Sequence, residues 1–143
     1  MTDFANSMIE YHNQLQKGAI QKAYRGLMDY IQALKVHFAK AYPQYALPGS
    51  LYFGYMDMTY FAIIPPSLKP RGLKIALVFA HEPFRFEVWL SGVNRDIQAH
   101  TWQALKDSGW NGYPLVADPR KTDAVVEHVI VENPDFSDLP GLT

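Results

Sequence analysis

Cysteine is absent from all 143 residues. That removes disulfides, thiolate nucleophiles and the usual structural zinc sites from consideration. Neither charge sign accumulates: thirteen Lys and Arg stand against fourteen Asp and Glu, for a formal charge of -1. A non-specific nucleic-acid binder needs a basic excess to neutralise phosphates, so this balance argues against a nucleic-acid partner. The longest strongly apolar run, "IALVFA", is far too short to span a bilayer. The opening "MTDFANSMIEYHNQLQK" has no basic segment leading into an apolar one. A cytoplasmic protein without a membrane partner is expected. Also missing are GxGxxG, GxxxxGK[ST] and GxSxG, and with them the sequence support for dinucleotide binding, P-loop chemistry and a serine-hydrolase elbow. His12, His37, His100 and His128 share no ligand spacing, and "HE" at His81 and Glu82 lacks the second His of a zinc helix. No metal site and no cofactor is expected.

What is present suits one domain over residues 1–143, since 48% of the residues are hydrophobic and 14% aromatic. A chain of this length buries about 68 to 70% of its unfolded surface, enough to fold without a disulfide or metal. Phe4, Met8, Tyr11 and Leu15 recur at helical spacing before Gly18, which suits a left-handed helix end. A longer stripe runs Ile20, Tyr24, Leu27, Ile31, Leu34, Phe38 and Ala41, ahead of Pro43. Its opposite side carries Lys22, Arg25, Asp29, Gln32 and Lys40, as expected of a helix laid on a sheet with one side in water.

From Leu51 to Ile64 the aromatic and β-branched content predicts two short strands, or one strand bent near Gly54 to Asp57. Pro65 and Pro66 end it, and Lys69 and Arg71 fall among Pro70 and Gly72 in what reads as a solvated loop that reaches Lys74. The next two strands predict each other's register. With a reversal over His81–Phe84, Phe79 faces Phe86, Leu77 faces Val88 and Ile75 faces Leu90. The same register sets Ala80, Val78 and Ala76 opposite Arg85, Glu87 and Trp89 on the other face. A four-residue loop keeps this register without a cis bond before Pro83. Asn94 then reads as the N-cap of a helix over "RDIQAHTWQALKDSG", ending at Gly109. "YPLVA" predicts a short strand, which lies parallel to strand 84–91 if the helix is a right-handed crossover. "DAVVEHVIVEN" fits both periods; a helix capped by Asp123 is the expectation. The tail "NPDFSDLPGLT" is expected to dock through Phe136 and Leu139.

The order helix, three strands, helix, strand resembles the core of PD-(D/E)xK nucleases. In "EVW", Glu87, Val88 and Trp89, Trp stands where the lysine of that motif belongs, and Lys74 stands where an acid belongs. The resemblance covers element order alone and implies at most a degenerate nucleic-acid binder. "GAIQKAYRGLMDYI", "GYMDMTYFAI", "LKIALVFAHEPFRFEVWLSG" and "ENPDFSDL" together resemble a family of small uncharacterised bacterial proteins grouped as a domain of unknown function. That resemblance implies a stand-alone bacterial domain and carries no activity, cofactor or catalytic residue with it.

The expected fold is α+β: two N-terminal helices packed on a mostly antiparallel sheet, then a crossover helix, a short strand and a C-terminal helical segment. The candidate site is a sheet face of Tyr52, Tyr55, Asp57, Tyr60, Arg85, Glu87 and Trp89. It suits a non-enzymatic module that binds a small anionic or aromatic ligand, or one that forms a homodimer. The alternative is an enzyme with Glu87 or Asp57 as general base and Arg85 steadying negative charge.

Overall fold

In the computed structural model, which describes residues 2–143, the chain starts with helix α1 (Asp3–Lys17). The Thr2 hydroxyl accepts the Ala5 N–H at 3.1 Å, satisfying one of the amides a helix start leaves unpaired. Gly18 ends the helix at φ 78°, its amide donating to the Leu15 carbonyl. Helix α2 (Ala19–Ala41) follows and stops two residues before Pro43. Both helices lie where their apolar spacing put them. The chain forms two compact units, one ending at Leu34 and the other running from Lys35 to Thr143, so the boundary falls inside α2.

In the first unit α1 buries no residue, and Phe4, Met8 and Tyr11 are exposed. Tyr30, Ile31 and Leu34 are the buried residues of α2.

The second unit is built on a four-stranded sheet in the order β1-β2-β3-β4, with every neighbouring pair antiparallel. The strands are β1 (Met58–Ile63), β2 (Leu73–Ala80), β3 (Arg85–Gly92) and β4 (Val126–Glu132). The hairpin register is the one the alternation predicts: Phe79 pairs with Phe86, Leu77 with Val88, Ile75 with Leu90, and Ala80, Val78 and Ala76 with Arg85, Glu87 and Trp89. The chain reverses over His81–Phe84 without a cis bond, and Phe84 takes the left-handed conformation at φ 56°. Apolar packing surrounds that reversal. The Phe79 and Phe86 ring centres lie 5.0 Å apart, and Phe136 from the tail meets Phe79, Phe84 and Phe86 at 5.7 to 6.4 Å, so the tail docks through Phe136 as expected, whereas Leu139 stays exposed at 41%. At the other side, Phe38 in the last turns of α2 packs edge-on against Phe61 of β1.

Leu51 to Ile64 resolves into two pieces. Tyr52 bridges to Tyr60, and between them the chain turns through Gly54 (φ 72°) and Met56 (φ 63°). A side chain at Gly54 would sit 2.1 Å from the Met58 carbonyl, so the turn closes too tightly for one. Before β2, Lys69–Arg71 form a single 3-10 turn that Gly72 ends at φ 67°. Helix α3 (Arg95–Asp107) starts at Asn94, whose side chain accepts the Ile97 N–H at 2.8 Å.

Two expectations are corrected. Residues 123–132 do not form a helix: Val126–Glu132 are β4, because the outer edge of β3 presents unpaired amides and carbonyls that a β-branched segment satisfies. "YPLVA" is no full strand either, since Leu115 makes one antiparallel bridge to Val126. The strand after α3 therefore comes later, from Val126, and runs antiparallel to β3, so α3 is not a parallel crossover. The chain ends in a one-turn helix, α4 (Leu139–Leu142). The fold is α+β, with helices before and after an antiparallel sheet.

Candidate functional site

Side chains alternate across a sheet, so register decides which of them share a face. Tyr60 pairs with Val78 and Val78 with Glu87; Ala76 pairs with Trp89, and Ala80 with Arg85. Tyr60, Arg85, Glu87 and Trp89 therefore stand on one face, and Tyr52 joins them by its bridge to Tyr60, the two ring centres 5.1 Å apart with their planes tilted by 32°. Two expected members fall elsewhere. Tyr55 is 92% exposed at the turn, and Asp57 is exposed in the same turn.

Asp57 works locally. Its Oδ1 accepts the Tyr55 N–H at 2.9 Å and the Met58 N–H at 2.7 Å. Those backbone bonds hold its carboxyl below the ordinary 3.8, which suits a turn-closing acceptor and not a base awaiting a proton.

Glu87 is only 4% exposed, and both of its oxygens are occupied. Arg85 Nε donates to one at 3.0 Å and Trp89 Nε1 donates to the other at 2.9 Å. Arg85 reaches on to Glu132 at 3.5 Å. The row at the start of β3 is thus a closed relay in which Glu87 orients the indole. Glu127, facing Trp89 from β4, is an exposed residue whose carboxyl is nevertheless pushed above 4.5, first by desolvation and then by the Glu87 charge.

The concave part of this face lies one step further along. A trough of about 370 Å³ opens above the small side chain of Ala76, within the range of small-molecule sites. Trp89 borders it from β3, Tyr52 and Tyr60 border it from the β1 side, and Lys74 and Ser91 continue it toward the start of α3. There Asn94, Arg95, Gln98 and Asp123 close the end. Most of the polar groups at that end are committed. Ser91 Oγ donates to the Asp123 carbonyl at 2.7 Å; Gln98 accepts the Gly92 N–H and donates to the carbonyls of Pro119 and Thr122. Arg95 donates to Asp123 Oδ1 at 2.8 Å and to the carbonyls of Arg120 and Thr122.

Lys74 is different. Its ammonium forms no ion pair among the described residues and lies 5.9 Å from the centre of the Tyr60 ring. The hydroxyls of Tyr52 and Tyr60 have no hydrogen-bond partner among the described residues. Burial, then the charges of Tyr52 and Asp123, raise the Tyr60 phenol above 10.0, so it remains a proton donor at neutral pH.

A second concavity of about 660 Å³ lies between α3 and residues 117–120. Its charges answer each other, Arg120 pairing with Asp96 at 3.3 Å, and the Trp102 indole donates to the Val116 carbonyl. No group of His, Cys, Asp or Glu among the described residues is arranged to hold a metal ion. No described helix is long and apolar enough to cross a membrane.

Lys74 and the α3 end of the trough were missed in the sequence. The signal for Lys74 lay in the hairpin register: it pairs with Ser91, two residues from Trp89 on the same face, although its neighbours Lys69 and Arg71 make it look like part of a loop cluster. Asp123 and Arg95 meet across 28 positions, and no local pattern encodes that contact.

No curated protein and no solved structure matches the chain significantly. A family model does match it over residues 4–143, nearly the whole length, and the chain belongs to that family, described as Domain of unknown function (DUF7000).

Proposed function

We propose that this protein is a binding module that holds a small organic ligand in the trough bordered by Tyr52, Tyr60, Lys74 and Trp89. The observation that carries the reading is the Lys74 ammonium, a cation facing an aromatic-walled cavity with no carboxylate paired to it. Lys74 is half-buried, and the open position beside its ammonium suits an incoming anionic group. Arg85 is engaged by Glu87 and Glu132 and serves the wall rather than an incoming anion. A binding role is favoured over catalysis because both carboxylates considered as bases are occupied, Glu87 by two side chains and Asp57 by two backbone amides.

Native mass spectrometry of the purified protein tests this against a Trp89→Ala, Lys74→Ala variant whose folding is checked by circular dichroism. A reproducible added mass on the wild type that the folded variant loses is the expected result. A bound mass that the variant retains places the ligand elsewhere and overturns the reading.

A further inference from the structure

The polar groups around the trough can be counted, and the count restricts what the ligand can be. Arg95 is neutralised by Asp123 at 2.8 Å, which leaves Lys74 as the one unanswered charge bordering the cavity among the described residues. A single ammonium suits a single negative charge. A polyphosphate needs several cations, and here Lys74 alone is unpaired among the described residues. A cationic ligand would meet the unpaired Lys74 ammonium directly. A neutral one would leave the ammonium without a partner as water is displaced around it.

The walls restrict the body of the ligand in the same way. Tyr60 and Trp89 rise from β1 and β3 on either side of β2 and two residues apart in register, Tyr60 opposite Val78 and Trp89 opposite Ala76, whose methyl group floors the space beside the indole. Two strand spacings combined with that two-residue step put their backbones about 12 Å apart. Aromatic sides over a small floor favour a flat unsaturated body that stacks over one that is branched and aliphatic. The Trp89 plane is fixed by its bond to Glu87, so this wall is rigid before a ligand arrives. At about 370 Å³ the cavity is near the lower end for small-molecule sites, which suits one or two fused rings. The free Tyr52 and Tyr60 hydroxyls stand ready to hydrogen-bond oxygen atoms on the ligand.

We infer that the trough takes a planar aromatic monocarboxylate, its carboxylate on Lys74 and its ring between Trp89 and the tyrosines. This rests on the trough being the ligand site. The test is isothermal titration of the full chain with four probes, 2-naphthoate, phenylacetate, phenylacetamide and hexanoate, repeated on Lys74→Met and Lys74→Arg.

A charge-assisted bond lost without replacement predicts that phenylacetate binds about ten- to a hundredfold more tightly than phenylacetamide. Lys74→Met should erase that difference and Lys74→Arg should retain most of it. Hexanoate should bind about tenfold or more weakly than phenylacetate for want of stacking. Amide or hexanoate binding as tight as phenylacetate, with the wild type still carrying a trough-dependent mass in native spectra, overturns the ligand class and leaves the site standing. Absence of binding by all four probes together with a bare native spectrum overturns both.

Discussion

Two residues show how the groups that looked chemical in the sequence are used. Glu87 accepts from Arg85 and Trp89 while almost fully buried, so its charge serves placement. Glu87→Gln keeps the shape but turns an N–H toward the donating Arg85, exchanging one charge-assisted bond for a clash of donors. Unfolding in urea should show a loss of about 1 to 3 kcal/mol, with tryptophan fluorescence little changed because the remaining carbonyl oxygen still accepts from the indole. His81 gives a pH dependence. The Thr59 hydroxyl has one hydrogen, which goes to the Phe53 carbonyl at 2.7 Å, so at 2.9 Å His81 Nε2 must be the donor to Thr59 Oγ1. Burial lowers the imidazole pKa below 6.5, and the Asp57 charge opposes it only in part. The folded state thus prefers neutral His81. Its contribution to stability is complete above 6.5 and is lost as pH falls through the lowered folded value. An NMR titration should place the His81 midpoint below 6.5, and His81→Gln should flatten the stability slope in that window; a midpoint above 6.5 would contradict the burial argument.

At the scale of elements, legibility followed how many independent constraints each segment carried. The β2–β3 hairpin could be read to the residue because both of its faces had to match at once: Phe79, Leu77 and Ile75 found apolar partners, and the small Ala76, Val78 and Ala80 found the long ones. Helix α3 was legible from Asn94 and its following periodicity. Segment 123–132 was misread because Val125, Val126, Val129 and Ile130 satisfy a helical and an extended pattern equally, and the deciding fact, the open edge of β3, lies more than thirty residues away. A register shift between Phe86 and Glu87 blurs its alternation further. The aromatic and charged wall of the site was legible for the same reason as the hairpin, whereas its far end depends on Arg95, Gln98 and Asp123 meeting across loops. Gly72 joins these elements. It ends the 3-10 turn at φ 67°, and a side chain there would meet the Ile97 Cδ1 of α3 at 2.7 Å. Gly72→Ala should cost about 1 to 2 kcal/mol from the left-handed backbone, read as a lowered urea midpoint with unchanged slope. An unchanged midpoint would mean the turn relaxes freely.

For the molecule as a whole, charge and surface composition act together. The formal charge of -1 and an isoelectric point near 6.5 leave little long-range repulsion between copies at neutral pH. Against that weak repulsion α1 displays Phe4 at 73%, Met8 at 45% and Tyr11 at 55% exposure along one helical face. Apolar groups contiguous on a helix attract one another in water, and self-attraction is greatest where net charge vanishes. Sedimentation velocity should therefore show the strongest concentration dependence of association close to pH 6.5, weakening on either side. Phe4→Glu with Met8→Glu takes the formal charge from -1 to -3 and removes two of the apolar groups. A carboxylate at position 4 also falls in the first turn of α1, where the helix dipole favours it. Because α1 buries no residue, the double variant should stay within about 0.5 kcal/mol of the parent in stability, while its association at pH 6.5 is suppressed. Association that persists undiminished in the variant would put the attractive surface on the sheet unit instead, where Phe53, Met56 and Phe84 are also exposed.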